Sequence, residues 1–196
     1  MLFTIFSLLL HAIFNISSIS ECPESTSKAG YELINQFMNE VKSNKRSNEF
    51  KLSLALLKYE DALARSSDFT NPEFFDEILI SSPPFAMDTI LNKEDFACIK
   101  EQVQANGKQE YLERKRLELE NKNILKKDKL PERKLLFPGF TKYNIAWPLF
   151  SQDKKVAFLY AEQFCGSLCG SGVLHIYEVG PDKSWRKISS IMIYIS

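Results

Sequence analysis

Three runs of β-forming residues close the chain: Val156 to Phe164, Val173 to Val179 and Trp185 to Ile195. Short turns, Gly166 to Gly172 and Gly180-Pro181-Asp182, separate them. Strands joined so closely pair antiparallel, because a parallel return needs a crossover of about a dozen residues or more. The C-terminal part is therefore expected to be an antiparallel meander, with Tyr143 to Leu149 offering a fourth strand. In the last run Trp185, Ile191, Ile193 and Ile195 fall on one face, which suits a sheet with one buried and one wet side.

The texture before Phe137 is different. Leu33, Ile34, Phe37, Met38 and Val41 form one apolar stripe, so a helix is expected over 25–42, followed by a polar loop over 43–48. Residues 50–65 fit two periods. Phe50, Leu52, Leu54 and Leu56 alternate as a strand would, whereas Leu52, Leu56, Tyr59 and Leu63 make a helical stripe; the alanines favour helix. Asn71-Pro72 opens a further short helix that Pro83 and Pro84 stop. Asn92 opens another, with Glu94 and Asp95 in its first turn, Phe96, Ile99 and Val103 facing inward, and Gly107 at its end. Residues 108–134 carry ten basic and six acidic side chains, which suggests a solvated helix or a long connection. The expected architecture is α+β: N-terminal helices over residues 21–136, packed on a C-terminal antiparallel β-meander of three to four strands over 137–196.

Residues 1–20 contain no Asp, Glu, Lys or Arg, and their apolar run is too short and too interrupted for a comfortable membrane span. They are expected to be a secretory signal peptide, with Ser18 and Ser20 before the cut. The mature chain is then secreted or periplasmic and has no membrane span. Cys22 raises a second possibility, a lipid anchor, although Glu21 stands where a small residue would be wanted.

An exported chain with four cysteines, Cys22, Cys98, Cys165 and Cys169, allows three complete pairings. Cys165 and Cys169 are the prime disulfide candidates, since a tight turn brings their Cα atoms within the roughly 4.4 to 6.8 Å that a bridge needs. Gly166, Gly170 and Gly172 would permit that turn. The pairing of Cys22 and Cys98 stays open. The stretch Phe164-Cys165-Gly166-Ser167-Leu168-Cys169-Gly170-Ser171-Gly172, with Trp185 and the terminal Ile195-Ser196, resembles the C-terminal module of a group of small exported bacterial proteins of unknown function. In these, a strand ending in a CGxLCGxG turn precedes a second strand, a G-x-D-x-x-W corner and a terminal strand closing on Ile-Ser. Residues 145–196 carry the resemblance, and Asn92 to Phe96 with Glu101-Gln102 match the same group's helix more weakly. It implies export and the sheet module; it brings no catalytic residues.

Several function classes drop out on composition. Twenty-five basic residues balance twenty-five acidic ones, so no electrostatic footprint for nucleic acid is present. No P-loop, G-x-G-x-x-G, H-E-x-x-H or EF-hand loop occurs. Outside the leader the one histidine is His175, in an expected strand, so neither a His-based nucleophile site nor a zinc site with the cysteines is well supported. The function expected is a non-catalytic binding protein of the cell envelope, needing no cofactor or metal, whose partner is a protein or a small ligand held in a groove between helices and sheet. Two alternatives stand beside it. One is a hydrolase-type enzyme using acids of segment 60–95 with His175 or tyrosines. The other is a thiol-redox protein using Cys165 and Cys169, although such proteins usually carry C-x-x-C at a helix start.

Overall fold

The computed structural model describes residues 22, 27–44, 49–59, 90–105, 111–125, 140–166 and 169–195. Among them are two helices, α1 (Ser27–Ser43) and α2 (Lys93–Ala105). The strands are β1 (Phe50–Ser53), β2 (Ile124–Leu125), β3 (Thr141–Ile145), β4 (Leu149–Phe150), β5 (Val156–Gly166), β6 (Cys169–Val179) and β7 (Trp185–Ile195). They form one mixed sheet in the order β2-β1-β3-β5-β6-β7, with β4 also on β5. The architecture is α+β. The leader expected over 1–20, the helix expected from Asn71 and the acids from Glu60 to Asp88 lie outside the described residues.

The sheet is larger than a three- to four-stranded meander and is not wholly antiparallel. Strands β5, β6 and β7 follow one another antiparallel, but β1 pairs parallel with both β2 and β3. The helix expected over residues 50–65 thus begins as a strand. Phe50 and Leu52 are buried between two neighbouring strands, and that burial outweighs the helical preference of the alanines that follow. A region read as helical therefore supplies two strands of the sheet.

The segment from Tyr111 to Leu125 is neither a solvated helix nor a loose connection. It lays Leu112, Leu117, Leu119 and Ile124 into the core between outward charges. Asn35 of α1 donates to the Arg116 carbonyl at 3.1 Å and accepts from the Glu118 N–H at 2.9 Å. The Tyr31 hydroxyl accepts from the Glu113 N–H at 2.6 Å, and Arg114 donates to the Leu117 and Leu119 carbonyls. Side chains thus satisfy a stretch of backbone whose strand pairing is confined to its two ends, at Tyr111 and at β2.

Strand β5 is apolar along most of its length because both its faces are covered. Ala157, Leu159 and Ala161 join Leu33, Ile34, Phe37 and Met38 of α1 in one core. Val156, Phe158 and Tyr160 join Ile99 of α2, Leu174, Ile176 and Ile193 in the other. Gly30 is required where α1 crosses the Trp147 indole, since a Cβ there would run into the ring. Beside β5, β3 and β4 act as one interrupted strand. Four steps from Ile145 to Leu149 match three from Ala161 to Phe158, a bulge centred on Ala146-Trp147-Pro148.

Bulges also correct the expectation for the last strand. The β6–β7 register breaks between Gly172 and Val173 and between Ile176 and Tyr177, leaving Ile193 and Ile188 as extra residues on β7. Each bulge moves the alternation by one position. Trp185 is half-buried and packs on Phe150 at 5.8 Å in the α1-side core, whereas Ile191 and Ile193 belong to the opposite core. Ile195 is 76% exposed. The four residues do not share a face.

Helix α2 is fastened to the sheet by polar contacts. Asn92 and Asp95 form a reciprocal cap, each side chain accepting the other's N–H at 2.8 and 3.0 Å. The second Asp95 oxygen accepts from the Gln152 N–H at 2.8 Å. The Gln102 amide accepts from the Phe150 N–H at 2.9 Å and donates to the Phe150 carbonyl at 2.7 Å. No helix among the described residues is long and apolar enough to cross a membrane.

Candidate ligand-binding site

Alternation along β6 sends Ser171, Val173 and His175 to the same face as Gln163 of β5 and Tyr143 of β3. The C-terminal half of α1 lies over these residues without filling the space. What remains is a cavity of about 280 Å³, roofed by Phe37, Glu40 and Val41 and rimmed by Met192 of β7. A second, more open depression lies on the far side of Glu40 and Lys187, along Trp185 and the turn at Pro181.

Charge in the cavity is internally matched. One Glu40 carboxylate oxygen accepts from the Lys187 ammonium at 2.6 Å and from the Tyr177 hydroxyl at 3.2 Å. Burial, together with that carboxylate, pushes the Tyr177 phenol upward, so it remains a neutral donor. The His175 ring sits 5.1 Å from that of Phe37, and its Nδ1 is 2.9 Å from the Ser190 hydroxyl. Burial first, and the Lys187 charge second, push the His175 imidazole down to about 4. It is uncharged at neutral pH.

Hydrogen-bonding capacity, by contrast, is unspent. The Ser171 hydroxyl oxygen is buried and has no hydrogen-bond partner among the described residues. Gln163, exposed to water at the edge of the cavity, accepts the Tyr143 hydroxyl at 3.3 Å through its carbonyl oxygen. Burial also raises the Tyr143 phenol, keeping it a donor. Orphaned buried hydroxyls are uncommon in folded proteins, and this one belongs to a residue that lines the cavity.

The cysteine positions fall into two pairs, each at disulfide distance. Cys165 and Cys169 have Cα atoms 5.2 Å apart at the turn end of the β5–β6 hairpin, and both are exposed. Gly166 has φ of 149°, which glycine alone adopts freely. Gly170 pairs with Phe164, and Gly172 leaves room for the Tyr160 hydroxyl and the Tyr194 ring, which a Cβ would strike. Cys22 and Cys98 have Cα atoms 5.1 Å apart and join the N-terminal segment to α2. A Cys22 sulfur bonded to Cys98 has no valence for a thioether, so bridge and lipid anchor exclude each other.

The structure does not bring the other candidates together. Asp95 serves α2 and the Gln152 turn, on the opposite face of the sheet from His175. Glu40, the carboxylate nearest the cavity, is committed to Lys187 and Tyr177. No group of three or more His, Cys, Asp or Glu suited to a metal ion occurs among the described residues. Sequence reasoning singles out His175 and the cysteines but passes over Gln163 and Ser171, whose signal is only their spacing along two strands. Comparisons with protein-family models, curated proteins and solved structures return no match for this chain.

Proposed function

We propose that the protein is an exported, non-catalytic binding protein whose site is the cavity between α1 and the β3-β5-β6 face. The observation that carries this is the cavity itself, with Phe37, Val41 and Val173 as apolar walls and, among its lining residues, Ser171, whose buried hydroxyl has no partner among the described residues. A concave site with apolar walls and a few convergent polar groups is the usual form of a small-molecule pocket. Among the described residues the carboxylate that lines the cavity with His175, that of Glu40, is taken up by Lys187 and Tyr177 rather than held as a base for hydrolysis. The charge-free leader over residues 1–20 and two cysteine pairs at disulfide distance support export to an oxidising compartment, with Cys22 used for the bridge rather than for lipid. The likeness of residues 145–196 to the exported CGxLCGxG group supports the same placement.

The test is an amide-resolved NMR titration of the mature chain with indole. Shifts confined to Val41, Gln163, Ser171 and Val173, and lost in Val41→Trp, are expected. Shifts scattered over the surface, or unchanged by Val41→Trp, would remove the cavity as a site. A second reading has one observation in its favour: the Cys165–Cys169 pair is exposed at a hairpin tip and so is open to thiol exchange.

A further inference from the structure

The arrangement of groups around the cavity also limits what it would hold, an inference that rests on the binding-site assignment above. We infer that the ligand is a compact uncharged molecule of about ten to twelve non-hydrogen atoms, with a hydroxyl or carbonyl at one end that meets Ser171 and Gln163 and a ring or branched apolar body against Phe37 and Val173.

Size comes from the volume. A cavity of about 150 Å³ takes a benzene ring, and the 280 Å³ here is nearly twice that. A fused two-ring molecule is of the right order. Charge comes from the lining. The Lys187 ammonium and the Glu40 carboxylate are 2.6 Å apart and cancel, and His175 is neutral at physiological pH. An anion or cation entering would lose hydration without gaining a free counter-charge, which is strongly unfavourable. Polarity comes from what is unpaired. The Ser171 hydroxyl can both donate and accept, and Gln163, directly across the strand pair and exposed to water, carries an amide that can exchange water for a ligand group. A group that accepts from one and donates to the other, such as a phenol or alcohol, uses both; a bare hydrocarbon uses neither. Met192, 55% exposed at the rim, is the flexible apolar side chain best able to settle over a bound ring.

The experiment uses three probes of one shape, naphthol, naphthalene and naphthoate, titrated into the mature chain at pH 7 by calorimetry and amide-resolved NMR. Naphthol should bind at least about tenfold tighter than naphthoate, with shifts at Gln163, Ser171 and Val173. In Ser171→Ala the preference for naphthol over naphthalene should shrink about fivefold to tenfold, the effect of one buried hydrogen bond. In Glu40→Gln, which frees the Lys187 ammonium, the preference should move toward naphthoate. Naphthoate binding most tightly to the unaltered chain would overturn the ligand class while leaving the cavity as a binding site. A Ser171→Ala variant with unchanged preference would remove the hydroxyl anchor. Failure of all three probes, or binding untouched by Val41→Trp, would overturn the binding-site assignment itself. Val41→Trp changes a half-buried helix position, and a dispersed amide spectrum shows that it is folded.

Discussion

Removing the Ser171 hydroxyl should make the empty protein more stable. Ser171 is 6% exposed, and its oxygen has no partner among the described residues, so folding strips that hydroxyl of water without returning a hydrogen bond. The cost of such a group is about 1 to 3 kcal/mol. Ser171→Ala deletes the oxygen and keeps the Cβ that packs between Gln163 and Ile195 across the sheet. Alanine is a slightly poorer strand residue, by a few tenths of a kcal/mol. The net expectation is a gain of about 1 kcal/mol. Urea unfolding followed by far-ultraviolet dichroism reads it as a midpoint raised by roughly 0.5 M, for a slope near 2 kcal/mol/M that does not itself change. Ser151→Ala is the internal control. Its hydroxyl donates to Asp153 at 2.8 Å and accepts from the Val156 N–H at 3.0 Å in a buried turn, so the same exchange should cost about 1 to 3 kcal/mol there. A Ser171→Ala variant destabilised as much as Ser151→Ala would show that the hydroxyl is already satisfied, and the argument for a ligand-facing group would fall.

Two further outcomes are expected. Replacing Cys98 with Ser opens a bridge spanning 76 residues of chain and should cost about 4 kcal/mol by loop-closure entropy, whereas opening the bridge across four residues at Cys165 should cost about 2 or less; paired urea curves compare them. His175, held near 4 in the fold against an ordinary 6.5, is neutral when folded and protonated when unfolded between those values, so its contribution is present above pH 6.5 and lost as pH falls toward 4. His175→Phe should flatten that acid limb of the stability curve, and an unchanged limb would show that the imidazole is not desolvated.

Local pattern made some of this protein legible and left the rest hidden for definable reasons. The Asn92 cap, the stripe of α1 and the three closing strands follow from periods that short windows contain. The parallel pairing of Phe50 and Leu52 with strands more than seventy residues away does not, because alternation over four residues is equally a fragment of a helix. Leu117 and Leu119 were obscured by the charges around them, and their burial depends on Asn35 and Tyr31 reaching across from another element. Bulges are the subtlest loss. A strict two-residue alternation places Trp185 with Ile191, and only the pairing with β6 reveals the extra residue between them, Ile188, that puts them on opposite faces. At the site, His175 stands out because histidine is rare here, whereas Ser171 and Gln163 matter because two paired strands set them side by side, which no sequence window reports.

Gln102 has a consequence for the protein's dealings with its neighbours. A two-residue strand such as β4 leaves one peptide edge facing outward, and a foreign strand could add to it there. The Gln102 amide presents a carbonyl and an N–H to Phe150 as the next peptide of a sheet would, and so ends the hydrogen-bond ladder with a side chain. Glutamate of the same length could accept from the Phe150 N–H but could not donate to its carbonyl, so the mimicry would be half lost. Helix α2 therefore serves as a terminator as well as a cover, and its attachment through Cys98 and Asp95 keeps that peptide from recruiting another chain.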